Sequence, residues 1–396
     1  MGGKSRRRGL GAVIGALLAL VPGSVAGAAI ALTSAQAAVA QRLHQPLAPV
    51  QLAAPALIVT HGTDVADPFV MRADGQLLLF SSQASFFGEH IPLRVSSTLT
   101  HWNMTAIDAL PVLPNWADDG FTWSPDVRRV GSRYVLWFSA PLRSSGAALT
   151  KCIGEAVSRS PYGPYQAGAQ PLICQLNHDG SIDPRSFVDR QGRLWLTWKS
   201  DDNADVNGTE HTTIWVQQVA PDGLSLLGRP VPLLTANQPW QGRIVEAPDM
   251  IYAAGHYWLF YSGNWFNQPT YGIGVAECVT VTGPCSEPMD GPWLGSNAQG
   301  SGPGEASVFT DGQGTWLLYA PHSVDYTAST PRPVALLHLA FDRFGPYALA
   351  PVTPTVRRPV PRPRIEMPVR PTPEPVGQPS DPPAMRLGPG GLQANG

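Results

Sequence analysis

The sequence has few charged residues and no strong excess of either sign. Charged residues make up 14% of the chain, against about 25% in an average soluble protein. The formal net charge of −2 excludes a broadly basic nucleic-acid-binding protein. Glycine (40) and proline (41) together exceed a fifth of the 396 residues, and both destabilise helix interiors, so long helices should be scarce.

The N-terminus has the features of an export signal. Arginines at positions 6–8 precede an apolar stretch over residues 10–32, and Ala-x-Ala sites follow at 35–37 and 38–40. This order of a basic, an apolar and a small-residue segment predicts that residues 1–40 are a signal peptide. The protein would then be secreted or associated with the cell envelope. The apolar stretch is long for a signal, so an uncleaved anchor is the alternative.

Residues 351–396 form a tail rich in proline and arginine, with six arginines against three acids. Such a segment cannot bury enough apolar surface to fold, so we predict a disordered, extended tail. Its charge would allow contact with an anionic cell envelope, and a solvated tail is the alternative. Residues 1–40 carry four basic residues and no acid, so residues 41–350 must carry a net charge of −9.

Cysteine is scarce, but its four residues are an even number. Export would permit disulfides, and the pairs Cys152–Cys174 and Cys278–Cys285 would close short local loops. A zinc site is the rival interpretation. The C-x2-C spacing that such a site prefers is absent, which favours the disulfides.

Between the two ends, the sequence repeats about every 60 residues. Five times, a polar turn precedes an alternating aromatic and aliphatic run that ends in a small residue, at positions 81, 139, 200, 262 and 320. A second series keeps the same step: Leu93, Ile153, Ile214, Ile273 and Val334. Repeats of this length with several short strands are typical of propeller blades. We therefore predict an all-β, five-bladed β-propeller over residues 41–350 and no second domain.

An acidic residue accompanies the start of the first strand in each predicted blade. These residues are Asp67, Asp126, Asp183, Glu246 and Glu305. The first strand of a blade is the innermost, so we expect all five to point toward the central channel. Asp and Pro are ordinary turn residues, which explains any one position. Five like charges around one axis repel each other, however, so stability alone would not favour the set.

Converging carboxylates suit the hydrolysis of a glycosidic bond. One protonated acid serves the leaving oxygen, and one carboxylate acts on the other face of the sugar. A third carboxylate can raise the pKa of the acid by repulsion. We expect Trp123, Asp126 and Trp265 to contact the substrate. Phe121 and Phe266 also lie near the acids, and core packing is the alternative role for these aromatic residues.

Six short segments carry a family resemblance. They are ADPF (66–69), WSPDV (123–127), SIDP (181–184), WKS (198–200), IVEAPDM (244–250) and SGPG (301–304). In this order and spacing the chain resembles glycoside hydrolase family 43, the five-bladed arabinanases and xylosidases, over residues 60–342. The resemblance implies that Asp67 is the general base, that Asp183 orients and tunes the acid, and that Glu246 is the general acid. Asp64 is the second candidate for the base.

One position departs from the family pattern. Many members have a histidine after the Gly-Pro-Gly of the last blade, where it helps to hold an ion in the channel, and this chain has Glu305. Two alternatives follow: Glu305 holds a structural Ca²⁺, or the channel holds no ion. We expect that no cofactor is required. His322 is close in sequence but is not assumed to replace the missing histidine.

The resemblance implies a secreted, inverting hydrolase of α-L-arabinofuranosidic linkages, acting on a polysaccharide or oligosaccharide. We expect Glu246 to be buried and protonated, and Asp67 to lie in a more solvated, hydrogen-bonded setting. The alternatives on the same fold are a β-xylosidase and a retaining, fructan-active glycosidase. A non-catalytic carbohydrate-binding propeller is the alternative from another functional class.

Overall fold

The computed structural model describes residues 57–58, 64–83, 88–148, 150–202, 210–298, 300–322 and 331–349. The predicted signal peptide and the predicted tail lie outside the described residues. Within these ranges the chain forms strands and three short 3₁₀ segments, Arg143–Ala148, Leu176–His178 and Pro239–Gln241. No helix in this part of the chain combines the length and apolar character needed to cross a membrane.

The strands form five sheets, which are the blades. The first strand in the described part of the chain, β1 (Leu57–Ile58), belongs to the last blade. Blade 1 comprises β2 (Phe69–Ala73), β3 (Gln76–Phe80), β4 (Pro92–Ser96) and β5 (Asn103–Asp108). Blade 2 comprises β6 (Trp123–Val130), β7 (Arg133–Pro141), β8 (Lys151–Ser158) and β9 (Gln166–Ala167). Blade 3 comprises β10 (Ser181–Val188), β11 (Leu194–Ser200), β12 (Thr213–Val219) and β13 (Leu226–Thr235). Blade 4 comprises β14 (Val245–Ala253), β15 (His256–Gly263), β16 (Gly272–Cys278) and β17 (Cys285–Ser286). Blade 5 comprises β18 (Ser301–Asp311), β19 (Gly314–His322), β20 (Ala335–Asp342) and β21 (Gly345–Ala348), together with β1.

Within each blade, consecutive strands pair in antiparallel fashion. Blade 5 differs, because β20 pairs with β21 and also with β1, where Leu57 lies opposite Leu336. The N-terminal strand thus completes the last blade and joins the two ends of the propeller. The sequence repeats predicted the five blades but not this closure.

The apolar core consists of five clusters, and each lies between two neighbouring blades. One packs Phe80 of blade 1 against Phe138 of blade 2, and another packs Leu79 of blade 1 against Leu318 of blade 5. Because the last blade packs on the first, the clusters form an uninterrupted ring. The all-β, five-bladed prediction is confirmed.

Both predicted disulfides are present. Cys152 bonds to Cys174 with a Cα–Cα distance of 4.6 Å, and Cys278 bonds to Cys285 with a distance of 3.9 Å. The second bridge links the facing ends of β16 and β17. The pairing made from sequence is therefore confirmed.

Candidate active site

Five residues, one per blade, share an unusual backbone conformation at the start of the inner strand. Asp67, Ser124, Asp183, Ala247 and Glu305 have φ values of 48°, 52°, 58°, 48° and 58°. Positive φ is costly for residues other than glycine, by about 1–3 kcal/mol each, and such strain persists only where the surroundings enforce it. In four blades the position coincides with a shift of the ladder between the first two strands. These five positions form the rim of the channel.

Each strained residue is held by the blade before it. In every case its backbone N–H donates to a side chain of the preceding blade. The bonds run from Asp67 to Glu305 Oε2 (2.7 Å), Ser124 to Ser82 Oγ (2.8 Å), Asp183 to Ser139 Oγ (3.2 Å), Ala247 to Asp183 Oδ2 (2.9 Å) and Glu305 to Ser262 Oγ (2.9 Å). The bonds run round the whole rim and fix the backbone that carries the acids.

The expectation that all five acids lie in register was wrong. Asp67, Asp183 and Glu305 occupy equivalent positions, and Glu246 lies one residue before the fourth position. Asp126 lies two residues beyond Ser124 and is 0% exposed. It therefore lies below the rim and does not line the cavity, and the substrate contact expected from the sequence stays a prediction.

A cavity of about 120 Å³ opens at the rim. Asp67, Asp183, Glu246 and Glu305 all line it, so the structure brings the three candidate catalytic acids together. Their immediate partners differ, which gives each carboxyl group a different chemical setting.

Asp67 is hydrogen-bonded and partly exposed at the cavity. The hydroxyl of Ser82 donates to its Oδ2. Burial, reinforced by the negative charge of Asp183, raises the pKa of Asp67 to about 6, although Ser82 and Arg332 act in the opposite direction. The setting is hydrogen-bonded, as expected from the sequence, and only partly solvated, and a pKa of about 6 favours the ionised form at neutral pH.

Asp183 bridges blades 2 and 4. Its Oδ1 accepts a hydrogen bond from the Ser124 hydroxyl at 2.7 Å, and its Oδ2 accepts the N–H of Ala247 at 2.9 Å. Since Ala247 adjoins Glu246, this second bond also fixes the backbone of the candidate acid.

Glu246 accepts a hydrogen bond on each carboxyl oxygen. Lys199 Nζ lies 3.1 Å from Oε2, and the Tyr271 hydroxyl donates to Oε1 at 2.7 Å. Burial raises the pKa of Glu246, and the charge of Lys199 opposes this effect while Asp183 adds to it. For Lys199, burial acts to lower the pKa, but the charges of Glu246 and Asp201 hold the pKa above its usual value. Lys199 therefore stays cationic.

Glu305 forms an ion pair with Arg332 through Oε1, while its Oε2 accepts the Asp67 N–H. Arg332 also contacts Asp64, which accepts its backbone N–H at 2.9 Å and lies 3.4 Å from its Nε. Asp64, the second candidate for the base, is thus a partner of Arg332. His322 is elsewhere engaged, since its Nε2 lies 2.9 Å from the carbonyl oxygen of Phe266.

Three aromatic residues line the cavity: Trp123, Phe266 and Tyr271, whose hydroxyl contacts Glu246. Lys151 Nζ lies 3.9 Å from the centre of the Trp123 ring, and Arg332 lies 5.5 Å from that of Phe266. Trp265, expected to contact substrate, does not line the cavity and is 38% exposed. Its neighbour Phe266, which the sequence analysis also named, lines the cavity.

Below the rim, a guanidinium group lies between two carboxylates. Arg185 Nη1 is 3.7 Å from Asp126 and its Nε is 3.9 Å from Asp249, and its guanidinium lies 5.2 Å from the ring centre of Phe69. These four residues come from the inner strands of four blades, each two positions beyond the strained residue. Burial raises the pKa of Asp249 to about 7.

These residues do not fit the Ca²⁺ that the family pattern suggested. Ca²⁺ requires about six to eight oxygen ligands. Here Arg332 pairs with Glu305, and Arg185 pairs with Asp126 and Asp249. Among the residues that the structure describes, no group of three or more His, Cys, Asp or Glu side chains is arranged to hold a metal ion.

Four residues of the site were missed from the sequence: Ser82, Lys199, Tyr271 and Arg332. Ser82 and Lys199 lie beside the small residues that end the second strands, so the repeat pointed to their surroundings but not to their roles. Tyr271 and Arg332 lie just before the third strands, each two residues before a member of the second repeat series, Ile273 and Val334, which marked their place but not their roles.

Comparison with known proteins agrees with this geometry. Residues 58–342 match the model of the glycosyl hydrolases family 43. The Beta-D-galactofuranosidase xynD of Aspergillus niger is 27% identical over 296 residues, which cover 71% of this chain and 80% of that protein. An extracellular endo-α-(1→5)-L-arabinanase of Thermotoga petrophila is 25% identical over 297 residues, which cover 64% of this chain and 58% of that protein. The crystal structure of a thermostable family-43 glycoside hydrolase superposes with a TM-score of 0.66 at 26% identity, covering 78% of this chain and 99% of that one.

The chain belongs to glycosyl hydrolase family 43, because the family model matches well over half of its length. It is therefore a glycoside hydrolase, and the resemblance drawn from six short segments is confirmed.

Proposed function

We propose that this glycoside hydrolase cleaves α-L-arabinofuranosidic linkages of the arabinan type, with inversion at the anomeric carbon. The observation that carries the proposal is the cavity where Asp67, Asp183 and Glu246 meet with three different sets of partners. The similarity to an α-(1→5)-arabinanase supports the choice of substrate.

Asp67 acts as the general base. Its carboxylate takes a proton from a water molecule while the water oxygen forms a bond to the anomeric carbon. The bond from Ser82 orients this carboxylate, and a pKa of about 6 leaves it ionised at neutral pH. Asp183 does not transfer a proton. It fixes the backbone next to Glu246, and its negative charge raises the pKa of both Asp67 and Glu246.

Glu246 acts as the general acid. Its proton moves to the glycosidic oxygen as the bond from that oxygen to the anomeric carbon breaks. The carboxylate that results accepts hydrogen bonds from Lys199 and Tyr271, as in this structure. In the protonated state the O–H must point at the substrate, while the remaining lone pairs of the carboxyl group can still accept from Lys199 and Tyr271.

A second candidate is the hydrolysis of β-D-galactofuranosides. The match to a β-D-galactofuranosidase spans more of this chain, and more of the relative, than the match to the arabinanase. Nitrophenyl α-L-arabinofuranoside, β-D-galactofuranoside and β-D-xylopyranoside, together with linear arabinan, separate the candidates by relative kcat/KM. NMR of the first-formed sugar reports inversion or retention.

Two substitutions test the assigned roles. Asp67→Asn should lower kcat by about 10²–10⁴-fold on every substrate, since no leaving group replaces a base. Glu246→Gln should lower kcat on arabinan by a similar factor. It should keep much of its activity on nitrophenyl glycosides, because their nitrophenolate leaves without being protonated. Asp222→Asn, in an exposed turn of blade 3, is the control. An active Asp67→Asn combined with an inactive Asp64→Asn would move the base to Asp64.

We also propose that the enzyme is exported and acts outside the cell. Support comes from the signal-like residues 1–40 and from the extracellular arabinanase that the chain resembles. N-terminal sequencing of protein recovered from the culture medium tests this. A start after residue 37 or 40 is expected, and retention of residues 1–40 in the membrane fraction would indicate an anchor.

A further inference from the structure

We propose that Glu305 and Arg332 form a positioning pair, in which the guanidinium supplies the fixed positive charge that a bound metal ion would otherwise supply beside Asp67. The pair holds the backbone of Asp67 and makes the enzyme independent of metal ions. The part that concerns pH rests on the proposed role of Asp67 as the base. The part that concerns metal ions does not.

The backbone N–H and both carboxyl oxygens of Glu305 make contacts with neighbouring residues. It is 6% exposed, and its backbone N–H donates to Ser262. One carboxyl oxygen accepts the Asp67 N–H at 2.7 Å, and the other contacts Arg332. Because Asp67 has a positive φ, its N–H needs a fixed acceptor to keep the residue in this conformation. Glu305 is that acceptor.

Arg332 is equally constrained. Its side chain is 15% exposed and contacts the carboxylates of Asp64 and Glu305. Its guanidinium lies 5.5 Å from the ring centre of Phe266, within the range of a cation–π contact. The charge of Arg332 lowers the pKa of Asp67 and so favours the ionised base. Arg332 also lines the cavity.

The negative charges of Glu246 and Glu305 are already balanced by cationic side chains of the protein. Two buried cations, Lys199 and Arg332, already contact Glu246 and Glu305. A divalent ion on Glu305 would share a carboxyl oxygen with Arg332 or with the Asp67 N–H, and its charge would repel the guanidinium.

The pH dependence of kcat/KM on nitrophenyl α-L-arabinofuranoside provides the first test. The titratable and charged groups around Asp67 are Asp64, Asp183, Glu246, Glu305 and Arg332. Arg332→Met removes the positive charge, which disfavours the ionised base, so the acidic limb should move up by about one pH unit or more. Burial raises the pKa of Glu305 well above its usual value, and the charge of Arg332, with which it is paired, opposes this effect. Within this ion pair Glu305 is the anion, so Glu305→Gln keeps an acceptor for the Asp67 N–H but removes a negative charge, and the acidic limb should move to lower pH.

Opposite shifts separate this role from a merely structural one, which would lower activity without moving the limb in two directions. Arg332→Lys should restore the wild-type limb in large part. Arg72→Met is the matched control, because it removes an Arg–Asp ion pair far from the cavity and should leave the profile unchanged. An unmoved limb in both Arg332→Met and Glu305→Gln would overturn the positioning role. The Glu305→Gln arm remains decisive if Arg332→Met does not fold.

Metal content and thermal unfolding of the wild-type chain provide the second test. After dialysis against EDTA, we expect substoichiometric Ca²⁺ by elemental analysis and an unchanged Tm, with no rise when Ca²⁺ is added. Stoichiometric Ca²⁺, or a Tm that falls with EDTA and recovers with Ca²⁺, would overturn the proposal. These readouts need no substrate. A chain that hydrolysed none of the glycosides would therefore refute the proposed function and still leave this result interpretable.

Discussion

Replacing Lys199 by methionine should move the alkaline limb of the pH–rate profile to higher pH. The alkaline limb reports the loss of the proton from the general acid, which is Glu246 in the proposed mechanism. Lys199 is buried, with its Nζ 3.1 Å from Glu246 and 3.3 Å from Asp201. Its charge favours the ionised form of Glu246 and lowers the pKa of that group. Removing the charge should therefore raise the pKa.

The size of the shift follows from the geometry. Two unit charges 3.1 Å apart interact by about 5 kcal/mol at an effective dielectric constant of about 20, and one pKa unit corresponds to about 1.4 kcal/mol. The corresponding shift is about four units. Charge pairs at short range usually shift a pKa by about 1–3 units, which is the rise we expect.

The assay is kcat/KM on arabino-oligosaccharides from pH 4 to 10, because natural linkages depend on the acid more than aryl glycosides do. Lys199→Arg keeps the charge and serves as the matched control, with thermal unfolding to show that each variant is folded. An alkaline limb of Lys199→Met that stays in place or moves down would refute the reasoning. It would show that the ion pair does not set the acidity of Glu246.

Two further predictions concern stability. Burial raises the pKa of Glu155 to about 7, and its Oε2 has no hydrogen-bond partner. Between about pH 4.5 and pH 7 the folded chain therefore binds this proton more tightly than the unfolded chain does. The stability that this proton contributes is lost as the pH rises through this range. Glu155→Gln should therefore raise Tm at pH 8 but not at pH 4, and equal gains at both would contradict this cause. Replacing both Cys278 and Cys285 by serine opens a short loop and should lower the free energy of unfolding by about 2–3 kcal/mol in urea titrations. An unchanged midpoint would show that the bridge does not stabilise the folded chain.

The sequence predicted the blades because the same pattern of buried strands recurs in each of them. The second strands must be buried on both faces, so their apolar runs recur in every blade, and the third-strand residues Leu93, Ile153, Ile214 and Ile273 are all at most 1% exposed. The contribution of β1 to blade 5 was not predicted, because a strand of two residues has no readable pattern.

The position of Asp126 was wrongly predicted because the acids were aligned by their charge. Alignment by proline would have succeeded. Pro68, Pro125, Pro184 and Pro248 each follow a strained residue, which assigns Ser124 to the rim in place of Asp126. Proline restricts its own φ and the backbone of the residue before it. Its position in the sequence therefore indicates the backbone geometry more directly than the position of an acidic residue does.

Lys199 lies in the WKS segment, but the roles of Lys199 and Arg332 could not be assigned from sequence, since these roles depend on contacts between blades or with a distant loop. They also differ in what they do for the proposed reaction. Proton transfer makes Asp67 neutral and Glu246 anionic, so the net charge of the site stays constant while its location changes. Arg332 favours the ionised Asp67 that exists before the transfer, and Lys199 favours the ionised Glu246 that exists after it. One cation therefore readies the base and the other strengthens the acid, and neither can replace the other.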